Sequence, residues 1–373
     1  MKSLATFWAA AFLGATLQAQ TWTLSDAPTE GIEWNGLANS ADGSKMALID
    51  YLGGIYTSST AGLTWHITGA PSGSWFSIAS STNGNTLVAC RLNGSIYIST
   101  NSGATWDADG PGLQWYSVTC SADGSHFAAA AFGDGIYTNG GTGWGRTPAI
   151  TTNWFCVASS GNGSRLAACV YGGLIYTSTN FGTAWKPANV ASNLWHCITM
   201  SADGSNLVAG ARFGGPIIYS TNAGTTWFTS DSQDDYWYSM KASTDGSRVL
   251  ANDQGLAFIS TNYGVNWSPA NQPSPDSYYN GTISGDGSVM AVAAFVGPVY
   301  TTASFPTLAI TNSGPNRTVS WPAFSPGFLL WQNTNLTTAT WSAVTNNITT
   351  NAGLDHVTLP PAGGSVFYRL QAQ

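Results

Sequence analysis

The sequence predicts an all-β chain: a seven-bladed β-propeller of four-stranded blades, its N-terminal strand closing the last blade, followed by a small β-sandwich. Three observations predict it. A unit of about 40 residues recurs seven times, short apolar runs alternate with Gly, Asn and Ser turns, and the last unit lacks a strand that the N-terminus supplies.

The repeat is read from an aromatic residue nine positions before a glycine: Trp34/Gly43, Trp75/Gly84, Trp115/Gly124, Trp154/Gly163, Trp195/Gly204, Trp237/Gly246 and Tyr278/Gly287. Successive starts lie 41, 40, 39, 41, 42 and 41 residues apart. Each glycine follows Asp or Asn, a pair that accepts the positive φ of tight hairpin turns. In the second unit, residues 75–80 form the innermost strand, 86–90 the second and 95–99 the third; the turn at 100–105 then delivers Trp106 to the fourth. Runs this short, punctuated by Gly and Asn, are strands and not helices.

The seventh unit stops at residues 299–302, without the turn and Trp that begin a fourth strand. Residues 21–24 carry Trp22 twelve positions before Trp34, close to the 9 to 11 that separate an outer-strand Trp from the next aromatic elsewhere. Pairing this segment with the last unit closes the ring and removes an exposed edge.

The turn before the outer strand recurs as Ser99-Thr100-Asn101-Ser102-Gly103-Ala104-Thr105-Trp106, and again at 178–185, 220–227 and 260–267. The first copy, 58–65, is similar, and the third, ending at Trp144, is shortened. These turns resemble the Asp-box, or BNR, repeat of sialidase-like propellers, with Asn where that family usually has Asp. The resemblance spans residues 21 to about 304. It implies a fold and not an activity, because in that family the box is a folding device on the face away from the ligand.

Residues 305–373 break the period. Six strand-like runs, at 308–310, 318–321, 328–331, 341–344, 356–359 and 366–370, suggest a small immunoglobulin-like β-sandwich. The segment also resembles a C-terminal module of secreted proteins in planctomycete- and verrucomicrobia-type bacteria, through Ser320-Trp321-Pro322, Gly327-Phe328-Leu329, Thr334-Asn335-Leu336, Trp341, Val344 and Phe367-Tyr368-Arg369-Leu370. Attachment or spacing is its expected role.

Met1-Lys2, an apolar stretch from Leu4 to Leu17 and the small Ala19 read as a secretory signal peptide over residues 1–19. The domains are then 1–19, a propeller over 20–304 and the sandwich over 305–373, in a protein expected to be secreted or held at the cell surface. Charged residues make up only 8% of the chain and the net charge is −7. With 11 Lys and Arg, the chain lacks the clustered cations of a nucleic-acid binder. No later stretch has the length of a membrane span, and a monomer is expected.

Cys90, Cys120, Cys156, Cys169 and Cys197 are an odd number for an exported chain, so not all five pair internally. Cys156 and Cys169 fall nearly opposite across a hairpin, and burial is the expectation for the rest. His66, His126, His196 and His356 show no metal-ligand spacing, and neither a metal nor an organic cofactor is expected. Asp231, Asp234 and Asp235 form an acidic loop that reads as solvated in preference to calcium-binding.

Propeller ligands usually sit at the mouth of the central channel. Trp34, Trp75, Trp115, Trp154, Trp195, Trp237 and Tyr278 begin the innermost strands there and form either a carbohydrate platform or packing between blades. The loops after the second strands carry Tyr51, Arg91, Phe132, Tyr171, Arg212, Asp253 and Phe295, which are either ordinary variation of solvent-facing loops or a set suited to an anionic or polar glycan. Only two Glu occur, Glu30 and Glu33, and no GxSxG, HExxH or Walker motif is present. The expected function is therefore non-catalytic binding of a glycan or another extracellular polymer on this face. The alternatives are a divergent glycoside hydrolase of sialidase-like fold, working through Asp pairs, and a scaffold that assembles cell-surface or extracellular proteins.

Overall fold

The computed structural model describes residues 21–233, 235–273, 277–303, 308–313, 316–322, 328–334, 341–351, 354–360 and 366–372. The expected signal peptide and Asp234 lie outside these residues. Regular structure among them is strand throughout, with no helix, and none therefore crosses a membrane as a helix.

From Trp34 onward the strands pair as antiparallel four-stranded ladders. Trp34–Asn39, Met46–Asp50, Ile55–Ser58 and His66–Ile67 make the first, and Trp75–Ser80, Leu87–Arg91, Gly94–Ser99 and Asp107–Leu113 the second. Three ladders, begun by Trp115–Cys120, Thr152–Ser159 and Asn193–Met200, join into one twelve-stranded sheet through pairings such as Phe132↔Asn153 and Tyr171↔Leu194. Ser239–Ala242 and Tyr278–Ile283 open two further four-stranded sheets. The second strands are near-continuous apolar runs: Met46–Asp50, Leu207–Ala211 and Met290–Ala294 are buried along their whole length. A strand reads this way when both faces of its sheet are covered, here by the neighbouring sheets.

The N-terminus behaves as its sequence predicts. Thr23–Leu24 pairs with Val299–Thr301, in the register Thr23↔Thr301 and Leu24↔Tyr300, and becomes the fourth strand of the last sheet. Side chains fasten it on both sides. The Trp22 indole donates to the Ala270 carbonyl at 2.9 Å, and the Asp26 carboxylate accepts the Trp65 amide at 2.8 Å.

At the end of the ladders where first strands turn into second strands, backbone hydrogen bonds run in a circle. The amide of Ala41 donates to Thr82, Thr82 to Ala122, Ala122 to Gly161, Gly161 to Ala202, Ala202 to Thr244, Thr244 to Gly285, and Gly285 back to Ala41. Each bond is between 2.6 and 2.8 Å. At the closing bond the backbones approach closely: a Cβ on Gly285 would lie 3.0 Å from the Ala41 carbonyl oxygen and 3.2 Å from its Cβ.

Every one of these turns is also built on a buried serine. Ser121 Oγ donates to Asp123 at 2.6 Å and accepts the His126 amide at 2.9 Å, and Ser40, Ser201, Ser243 and Ser284 repeat the arrangement with their own Asp. Ser81 and Ser160 do so with Asn. The turn after the third strand uses the same economy. Ser99 Oγ accepts the Gly103 amide at 2.9 Å and Asn101 Oδ1 the Thr105 amide at 2.9 Å, while Ser102 and Gly103 both take positive φ. In the shortened third copy Asn139 replaces the serine, and its one side-chain oxygen caps both Gly141 and Gly143.

The C-terminal region holds two antiparallel sheets. One orders Ala309–Ser313, Asn316–Pro322, Leu354–Leu359 and Thr349–Asn351; the other orders Ser342–Ala343, Phe328–Asn333 and Phe367–Ala372. Val319, Trp321, Leu330, Val357 and Leu359 share one buried cluster. The strand Thr349–Asn351, wholly exposed and polar, gives no apolar signal and is missing from the six runs expected from sequence.

Candidate functional site

A cavity of about 730 Å³ lies inside the ring, lined by the innermost strands and by the loops between second and third strands. The periodic aromatics do not face it. Trp34, Trp75, Trp115, Trp154, Trp195, Trp237 and Tyr278 are at most 2% exposed, so none offers a ring face to a ligand. Each packs between neighbouring sheets. Trp34 clusters with Ala291, Ala293 and Val299 of the last sheet, and Trp115 with Val88, Cys90 and Ile96 of the second, while the indoles of Trp115 and Trp154 donate to Pro111 and Ile150 carbonyls. Of the two alternatives that the sequence leaves open at these positions, this burial is that of inter-sheet packing, as strict periodicity requires.

The residues that reach the cavity are their immediate successors. In six ladders the register slips between the aromatic residue and the second residue after it. A bulge leaves the intervening residue unpaired and re-aims its side chain. Phe76, Tyr116, Phe155, His196 and Tyr279 are turned inward in this way and, with Tyr238 of the ladder that has no such slip, form a continuous arc, with ring centroids 4.6, 4.9, 4.4, 5.5 and 4.2 Å apart in turn. Asn35 fills the remaining place and donates to the Trp75 carbonyl at 3.1 Å.

Five of the loop residues singled out by sequence, Tyr51, Phe132, Tyr171, Arg212 and Phe295, line the same cavity. Phe132 stacks on Tyr116 at 4.9 Å, Tyr171 packs on Phe155 at 5.4 Å, and Phe295 packs on Tyr279 at 5.0 Å. The Arg212 guanidinium lies 4.8 Å from the Tyr238 ring and donates to its hydroxyl at 3.2 Å. Two of the seven do not join. Arg91 is held outside the cavity, over Trp75 at 5.1 Å and hydrogen-bonded to the Ser72 carbonyl and Tyr97 hydroxyl. Asp253 is buried and caps its own turn by accepting the Gly255 and Leu256 amides. Burial and the neighbouring Asp235 raise its pKa.

Asp231 of the acidic loop is likewise engaged locally, accepting from Asn266 Nδ2. Among the described residues no group of three or more His, Cys, Asp or Glu is placed to hold a metal.

The cavity has a sign. Lys241 joins Arg212 in its lining, and the lining contains no Asp or Glu, in a chain of net charge −7. Among the described residues no hydrogen bond or ion pair engages the Lys241 ammonium, and burial lowers its pKa. Burial, with Arg212 adding to it, lowers His196 to about 3, so this ring is neutral at physiological pH. The arrangement offers flat apolar faces for stacking together with two cations for a negative group.

The chain matches no known protein family model and no curated protein. Among solved structures it is similar to YCF48 from Cyanidioschyzon merolae, with a TM-score of 0.59 and 16% identity over 75% of this chain and 98% of that one. At that identity the likeness shows the fold alone, and together with the ring of antiparallel sheets it makes the chain a β-propeller.

Proposed function

We propose that this is an exported, non-catalytic binding protein: a seven-bladed propeller of Asp-box type that seats an acidic glycan unit in its channel mouth. The seven-membered circle of amide bonds and the paired N-terminal strand support the blade count. The Ser–Gly and Asn–Thr caps of the third-strand turns support the Asp-box reading. The two C-terminal sheets with one shared core support an immunoglobulin-like sandwich, and the basic, apolar start of the sequence supports export.

One observation carries the functional reading: six contiguous aromatic rings and two cations line a cavity without a carboxylate. Sugar rings stack on aromatic faces, and a uronate or sulfate group finds its counter-charge in Arg212 and Lys241. The same lining weighs against glycosidic cleavage in this cavity, because that chemistry ordinarily draws on carboxyl groups and none lines it. The test is glycan-array binding of the mature protein beside a Tyr238→Ala/Arg212→Ala variant. Binding to acidic glycans that the variant loses supports the reading; a blank array overturns it in favour of a protein partner.

A further inference from the structure

All five cysteines are free thiols, and glycan recognition uses none of them. Two of them face each other. Cys156 and Cys169 are direct cross-strand partners in the hairpin of Thr152–Ser159 and Leu166–Gly173. Directly opposed residues of an antiparallel pair hold their Cα atoms about 4.5–5.5 Å apart, within the span of a disulfide. The corresponding register elsewhere sets Ser77 against Cys90, Ser117 against Ala130 and Cys197 against Gly210, so only this hairpin opposes two thiols among the described residues.

Access separates the two. Cys156 is half-buried and lines the channel, whereas Cys169 is fully buried behind it. Ser117 Oγ donates to the Cys156 sulfur at 3.8 Å, and Lys241, also lining the channel, places a positive charge within its electrostatic reach. The neighbouring Cys169 thiol lowers the Cys156 pKa, while burial raises that of Cys169. An accessible thiol that ionises readily, backed by a shielded one, is the arrangement of an attacking and a resolving cysteine.

We propose that Cys156 and Cys169 form a redox-active pair that exchanges with low-molecular-weight disulfides of the glutathione type entering the channel. The Cys156 thiolate attacks one sulfur of the small disulfide, the S–S bond breaks, and one thiolate leaves and takes up the proton released by Cys156. Cys169 then loses its proton and attacks the Cys156 sulfur of the mixed disulfide, expelling the second small thiol. The protein thus loses two hydrogens to an internal disulfide, and one small disulfide is reduced to two thiols.

The test incubates folded mature protein with oxidised glutathione and reads thiol count, intact mass and peptide mapping. Wild type is expected to lose two thiols, to gain a Cys156–Cys169 bond, and to recover both thiols on reduction. Cys169→Ser is expected to stop at a glutathione adduct on Cys156, and Cys156→Ser to remain unmodified. Wild type that keeps five free thiols, or a bond between any other pair, overturns the proposal; peptide mapping of wild type alone decides this if a variant fails to fold. An adduct of Cys169→Ser at another cysteine overturns it equally.

Discussion

The Gly285 amide donates to the Ala41 carbonyl at 2.6 Å, and this bond joins the last repeat to the first. The six other bonds of the circle link consecutive repeats, so this one is where the ends of the propeller meet at its inner rim. At the outer rim the junction is Thr23–Leu24 on Val299–Thr301. A repeat array without such closure leaves an unpaired edge and two unsupported terminal faces.

Deleting residues 20–26 therefore tests the closure. It removes the short ladder, the half-buried Trp22 indole with its bond to Ala270, and the Asp26 cap of Trp65. The expected loss is about 3 kcal/mol, seen as a melting temperature several degrees lower. An unchanged melting temperature contradicts the closure.

The buried serines give a second prediction. Ser121→Ala strands the His126 amide and removes a donor from Asp123, in a position with no exposure to water. Chemical denaturation should show a loss of about 1–3 kcal/mol. Ser164→Ala, which removes only an exposed bond to Asn162, should change stability by less than about 0.5 kcal/mol.

Acid stability should fall in two windows. His196 is held at about 3 in the folded state, by burial first and Arg212 second, so below pH ~6.5 the unfolded chain binds the extra proton. Its contribution is complete above that value and is lost as pH falls toward 3; channel water moderates the loss to about 1 kcal/mol by pH 5. Asp123 is lowered to about 2 by Ser121 and Ser125, and Asp203 and Asp245 are lowered in the same way. Their stabilisation is present above the ordinary carboxylate range near 4 and disappears as pH drops through the folded values. Urea titrations of His196→Phe should lose only the upper window, and those of Asp123→Asn should shrink only the lower one, with the parts due to Asp203 and Asp245 remaining.

The period of the repeat, the turn chemistry and the missing outer strand were legible because each depends on local residue type. Asp-Gly and Asn-Gly announce a turn, and Trp22 announces a strand by its distance from Trp34. The cavity lining was half legible. Tyr51, Phe132, Tyr171, Arg212 and Phe295 stood out by varying where the fold permits variation, and they line the cavity. The aromatic arc did not stand out, because the bulge that turns Phe76, Tyr116 and Phe155 inward leaves no mark in composition. Its one signal is the doubled aromatic, as in Trp75-Phe76, Trp115-Tyr116 and Trp154-Phe155: a strand that packs one ring between sheets has no packing use for the next. Arg91 and Asp253 misled because a loop position does not reveal whether its charge is already satisfied by the Ser72 carbonyl or by the Gly255 amide.

The central claim is that recognition occurs at the aromatic mouth and not at the opposite rim. Calorimetric titration of the best acidic glycan into wild type, Tyr116→Ala and Phe181→Ala tests it most directly, since Phe181 is exposed on a third-strand turn at the other end. Affinity should drop at least about tenfold for Tyr116→Ala, the loss of one stacking face, and stay unchanged for Phe181→Ala. Undiminished binding by Tyr116→Ala, or a loss confined to Phe181→Ala, would contradict it.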